Sequence, residues 1–136
     1  MRALCERLQD VNEAGTYRMN CSVDELRAAA SQLVFVLFEA HLGSVKGKGE
    51  FLAAIAQAIK APEWFGSNWD ALADALNDLS WSNTSGQPAP GYVLLLSNSG
   101  ETLGLNTTEY AIAAEIFTEA VYFWKSQDKP FWVFLC

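Results

Sequence analysis

Three short, nearly unbroken apolar runs constrain this chain most: Leu33-Val-Phe-Val-Leu-Phe38, Tyr92-Val-Leu-Leu-Leu96 and Phe131-Trp-Val-Phe-Leu135. A strand with one wet face alternates apolar and polar residues, whereas a continuous apolar run suits a strand covered on both faces, the habit of parallel sheets. Segments of helical period separate the runs. Phe51, Leu52, Ile55, Ala58 and Ile59 recur at steps of three and four up to Pro62, which stops the helix. Leu72, Leu76 and Leu79 do the same after Asn68, which reads as an N-cap. Glu109 to Trp124 forms a further helix, with Tyr110, Ala113, Ala114, Phe117 and Val121 on one face and Lys125 near the negative end of its dipole.

Strand, helices, strand, helix, strand is the order of a small α/β domain with right-handed crossovers. The fold class expected is therefore a small parallel β-sheet of three core strands packed with helices. Ahead of it, Gly15 to Met19 reads as a fourth, edge strand, and Ser22-Val-Asp-Glu25 matches a capping box opening a helix to about Ala30. Ser82 to Pro90 reads as a loop. Residues 1–136 are taken as one domain, with 1–32 an N-terminal addition to a core spanning 33–136.

Charge narrows the functional classes. Nine Lys plus Arg against sixteen Asp plus Glu give a net charge of −7, so the phosphate neutralisation that nucleic-acid binding demands is missing. The hydrophobic fraction of 51% is too high for intrinsic disorder. No apolar run approaches the roughly 20 residues of a membrane span, and Met1 to Val11 carries no signal-peptide pattern, so a cytoplasmic location is expected. Cys5, Cys21 and Cys136 are odd in number and far apart, without a CxxC pair or a second histidine for a zinc site; reduced thiols and no metal or other cofactor are the expectation.

Two features invite a catalytic reading. His41 is the only histidine, with no nucleophile placed beside it by sequence, and lone histidines are usually structural or solvent-facing. Gly43-Ser-Val-Lys-Gly-Lys-Gly49 has the strand-to-helix context of a phosphate loop but fits neither GxxxxGK[ST] nor GxGxxG, so a strand-to-helix connection accounts for it better.

The acid distribution says more. From Ala61 through Trp124 there is no Lys or Arg, while Glu63, Asp70, Asp74, Asp78, Glu101, Glu109, Glu115 and Glu119 all fall there. At about 100° per residue, from 3.6 residues per turn, Asp70, Asp74, Asn77 and Asp78 share one side of their helix and Trp69, Leu72, Leu76 and Leu79 the other. A solvated helix face is the plain account. It leaves unexplained why like charges stand four residues apart, where they repel by a few tenths of a kcal/mol, with no base to offset them. Uncompensated acids point to a cationic partner, and Pro62-Glu-Trp-Phe-Gly-Ser-Asn68 sets two aromatics in a loop at the end of that face, the makings of an interface anchor.

Pro62-Glu-Trp-Phe-Gly-Ser-Asn-Trp-Asp-Ala-Leu-Ala-Asp74 resembles the signature of the barstar family, intracellular inhibitors of barnase-type ribonucleases. Proline, two aromatics, glycine, asparagine and an Asp-Ala-Leu-x-Asp step occur together there, and the likeness extends over roughly Leu33 to Cys136. It implies a barstar-like parallel sheet packed with helices, and carboxylates that stand in for RNA phosphates in a nuclease active site. Asp74 matches the main phosphate-mimicking residue and Asp70 its neighbour; Trp64 takes the place of an interface aromatic, with Phe65 beside it; Gly66 and Asn68 belong to the loop that approaches the enzyme; Glu119 matches an acid on the later helix. Ala73 stands where the family has an aromatic, and Ser67 where it has an acid, so the likeness implies a cognate nuclease or toxin other than barnase itself.

The resulting expectation is a non-enzymatic inhibitor, monomeric when free, that takes a basic ribonuclease or toxin domain as its partner and neither nucleic acid nor membrane. Two other readings stand beside it. Asp70, Asp74 and Glu119 are hard-cation ligands by type, which would suit a Mg²⁺-dependent phosphoesterase; alternatively the fold serves as a non-inhibitory interaction module.

Overall fold

The computed structural model describes residues 4–18, 22–61, 68–82 and 89–136. In chain order these form α1 (Leu4–Gln9), β1 (Thr16–Arg18), α2 (Val23–Leu33), β2 (Val36–His41), α3 (Lys48–Ile59), α4 (Trp69–Leu76), a 3₁₀ turn (Ser80–Ser82), β3 (Tyr92–Ser97), α5 (Thr107–Ser126) and β4 (Phe131–Leu135). The four strands make one all-parallel sheet ordered β1-β4-β3-β2. This is the α/β class expected.

The apolar runs are continuous because the central strands are covered twice. Tyr92 to Leu96 are at most 1% exposed and Phe131 to Leu135 at most 7%. Alternate residues point to opposite layers, as strand geometry requires. Tyr92, Leu94, Leu96, Phe131, Val133 and Leu135 join Phe51, Leu52 and Ile55 of α3, Leu72 and Leu76 of α4, and Phe117 of α5. Val93, Leu95, Trp132 and Phe134 face the other way, onto Leu8 of α1 and Leu26 and Ala29 of α2. Crossover handedness explains the division. The connection β1→β2 runs across the sheet in one direction, and β2→β3→β4 returns in the other. Right-handed crossovers running in opposite directions lay their helices on opposite faces.

Several boundaries move from their expected places. Leu33 ends α2 instead of opening β2, because Val34 takes a left-handed conformation (φ 61°) and the amides of Val34 and Phe35 donate to the carbonyls of Ser31 and Ala30. The strand then runs on through Glu39, Ala40 and His41, paired with Leu95, Leu96 and Ser97. Apolar content marked what is buried, not where extended backbone begins. Ser22 is the N-cap of α2 but makes no side-chain capping bond. The full capping box sits on α5, which starts two residues earlier than expected: Asn106 Oδ1 accepts from the Glu109 amide at 2.8 Å and Glu109 Oε1 from the Asn106 amide at 3.2 Å. The edge strand is Thr16–Arg18; Met19 lies outside the described residues. The expectation of three reduced thiols is corrected: Cys136 is disulfide-bonded, and Cys5 is a free thiol facing Gln32 Oε1 at 3.6 Å.

The features singled out for catalysis lie at the end of β2 and in the loop that follows it. His41 Nδ1 lies 3.1 Å from the hydroxyl of Ser97, its partner in the sheet register. The loop after β2 is tied to the loop after β3, with the Gly47 amide donating to the Gly104 carbonyl at 2.8 Å. Gly104 has φ +75°, and a Cβ there would stand 2.4 Å from the Val45 carbonyl oxygen, so the close approach requires glycine. Among the described residues no helix is long and apolar enough to cross a membrane.

Candidate partner-binding face

The acid row stands on α4, an eight-residue helix. Isolated helices this short are marginal in water, so its order comes from its ends and its buried face. At the start, Asn68 adopts an extended conformation and its side-chain oxygen accepts the Ala71 amide at 2.7 Å, filling one of the orphan donors of the first turn. At the finish, the Trp124 indole N–H donates to the Leu76 carbonyl at 2.7 Å. Between them Leu72, Ala75 and Leu76 are fully buried. Trp69 is half-buried, its ring 6.0 Å from that of Phe51 and capped by the Lys48 ammonium at 5.7 Å.

This anchoring turns Asp70, Asp74 and Asp78 outward; all three are exposed. Ala73 is half-buried and packs against the main core, while Asn77 is half-buried beyond the last turn. Helix α5 packs alongside α4. Its Ala113, Ile116, Phe117, Ala120 and Val121 are buried, which leaves Glu115 and Glu119 exposed one turn apart. Asp70, Asp74, Asp78, Glu115 and Glu119 form no ion pair with any described residue. Ion pairs among the described residues lie elsewhere, such as Arg7 with Glu13, and Arg27 with Asp24 and Glu39.

The Arg27–Glu39 pair shows what compensation looks like in this protein. Arg27 reaches from α2 to β2, with Nη2 at 2.7 Å and Nε at 3.1 Å from the Glu39 carboxylate. The hydrogen bonds from Arg27 hold the Glu39 carboxyl below its ordinary pKa, against a partial burial that opposes them. Arg27 is raised in turn, first by the hydrogen bond to Glu39. No such partner among the described residues serves the α4 acids.

The positions expected from sequence separate into two groups. Asn68, Asp70, Ala73 and Asp74 come together at α4, and Glu119 stands on the helix packed beside it. Trp64, Phe65 and Gly66, with Ser67, lie outside the described residues. Glu115 and Trp124 are additions. The four-residue step from Glu115 to Glu119 was readable as an exposed stripe, whereas the contact of Trp124 with α4 joins residues 48 apart and had no local signal. No group of three or more His, Cys, Asp or Glu among the described residues is placed to hold a metal ion, so Asp70, Asp74 and Glu119 do not converge on a common cation. An exposed carboxylate surface on an anchored helix can pair with cations presented by another molecule.

Comparison with protein families gives a match over residues 35–136 to the family model described as Barstar (barnase inhibitor). No curated protein matches the chain.

Proposed function

Because the chain belongs to the barstar family, we propose that it is a protein inhibitor that blocks the cationic active site of a small barnase-like ribonuclease or a related toxin with the carboxylates of α4. Asp70 and Asp74 supply the leading charges in this reading and Glu119 of α5 a third; Trp64, Phe65, Gly66, Asn68 and Ala73 complete the contact surface. The observation that carries it is the exposed acid row, which forms no ion pair among the described residues, on a helix fixed at both ends.

The physical logic is substitution. A ribonuclease site is lined by Arg, Lys and His that bind phosphate, and carboxylates on a rigid frame supply the same sign of charge in the same place. The inhibitor performs no chemistry; occupancy alone excludes RNA. Complementary fields speed the encounter and lose effect as salt screens them. Once docked, the pairs are desolvated, and truncating one member leaves the partner's cation buried and unpaired, which costs about 2–5 kcal/mol.

The test is binding to a panel of barnase-type ribonucleases, with inhibition of RNA cleavage as a second readout. Asp74→Ala should raise the dissociation constant at least tenfold more than Glu6→Ala, an exposed acid on α1, and association should slow steeply between low and physiological salt. Equal effects of the two substitutions would reject the assignment.

A further inference from the structure

Three tryptophans are put to one use. Trp81 donates its indole N–H to the carbonyl of Ile59, the last residue of α3, at 2.8 Å; Trp124 donates to Leu76, the last residue of α4, at 2.7 Å; Trp132 donates to Leu8, next to the end of α1, at 3.0 Å. The last carbonyls of a helix have no partner within it, and in each case an indole from a distant part of the chain supplies one. An indole N–H can only donate, and a buried carbonyl left without a donor is costly, so each contact ties a helix end to a fixed point.

The tie at α4 differs from the other two in what it holds. Trp124 is 7% exposed, with its ring 4.9 Å from Tyr92 of β3 and 5.1 Å from Phe123. It is rooted in α5, the helix that carries Glu119, and it grips the end of the helix that carries Asp70 and Asp74. We infer that Trp124 is a positioning residue that sets the acids of α4 against the acid of α5. The inference rests on the inhibitor reading above and adds to it a residue that touches no partner. A row of charges matches a rigid cleft only if its members keep their spacing, and α4 is too short to hold its own line.

Trp81 provides the matched control, because it makes the same bond to α3, which bears none of the proposed contact residues. In the full-length chain, Trp124→Phe keeps an aromatic ring and removes the donor. Amide hydrogen exchange followed by NMR should then quicken about five- to tenfold, the loss expected for one buried hydrogen bond, at Asn77 and Asp78, whose amides close the end of α4 on Ala73 and Ala75. Trp81→Phe should instead quicken Lys60 and Ala61, which close the end of α3 on Gln57 and Ala56. Dissociation from a barnase-type ribonuclease that the wild type binds should quicken about five- to tenfold for Trp124→Phe and less than twofold for Trp81→Phe.

Unchanged exchange at Asn77 and Asp78 in Trp124→Phe overturns the tie itself, whatever the wild type binds. Equal quickening of dissociation by the two variants overturns the positioning role and leaves the inhibitor reading intact. A wild-type chain that engages no ribonuclease overturns that reading and the functional half of the inference, and the exchange measurements still report on the tie. Should Trp124→Phe fail to fold, the wild-type indole proton decides: it must exchange as slowly as the α4 amides, and faster exchange overturns the inference.

Discussion

Neutralising the acid at the centre of the row should make the free protein more stable. Asp74 lies one turn from Asp70 on the same exposed face, with no ion pair to a described residue, and a like-charge pair at this spacing costs about 0.2–0.5 kcal/mol. It also sits in the last turn of α4, where the helix dipole is negative and an anion is disfavoured by about 0.3–1 kcal/mol. Asp78, just beyond, adds repulsion of the same sign. Asp74→Asn keeps the shape and removes the charge, so the gain works out at roughly 0.5–1.5 kcal/mol. For a chain of this length that is a rise in Tm of about 2–6 °C. Asp70→Asn relieves the same pair but loses a favourable first-turn interaction, and should leave stability near the wild-type value. Urea denaturation at about 20 mM and at 1 M NaCl is the assay, because the screening length falls to about 3 Å at the higher salt and the gain should largely vanish. An Asp74→Asn protein no more stable than wild type at low salt, or a gain indifferent to salt, refutes the claim that these charges are unbalanced. Paired with weaker nuclease binding, a stabilising Asp74→Asn would show stability given up for recognition.

Three further outcomes follow from the geometry. Leu8→Ala, at a fully buried position under the second face of the sheet, should cost about 2–5 kcal/mol in denaturant unfolding; a cost below 1 kcal/mol would mean that α1 does not seal that layer. Asn68→Ala removes the cap of α4 and should cost about 0.5–2 kcal/mol, with faster exchange at Ala71 as its local mark. Glu39 has its folded pKa lowered by Arg27, so the pair's contribution is present above the unfolded carboxylate pKa of about 4.3 and fades as pH falls through the lower folded value. Glu39→Gln should therefore be less stable than wild type at pH 7, and the gap should close on acidification; a gap constant from pH 7 to pH 2 would exclude the linkage.

What the sequence disclosed is what burial writes locally. The runs in β3 and β4 are continuous because both faces are covered, and a window of five residues carries that signal. The division of α4 into a leucine side and an aspartate side follows from the helical period, and the structure places Leu72 and Leu76 inside and Asp70 and Asp74 outside. The turn that ends α2 at Leu33 was hidden, because Val34 is a β-branched residue in the left-handed region, a conformation its side chain disfavours, and it stands exposed inside an otherwise apolar run. The capping of α5 by Asn106 is legible in Asn106-Thr-Thr-Glu109, which stands ahead of the apolar period of the helix. The indole contacts of Trp81, Trp124 and Trp132 bridge residues 22, 48 and 124 apart, and no local pattern encodes them.

Sheet order has a bearing on biogenesis. Among the described residues the first strand pairs only with the fourth, Thr16 opposite Val133, and that fourth strand is wedged between the first and the third. A nascent polypeptide leaving the ribosome therefore holds β1 without a neighbour until β4 has been made, and both hydrophobic layers lack Phe131 to Leu135 until the same moment. Closure waits on β4: the scaffold beneath the acidic helix is complete only once that strand is in place, and a product interrupted before it lacks the wall on which either layer is built.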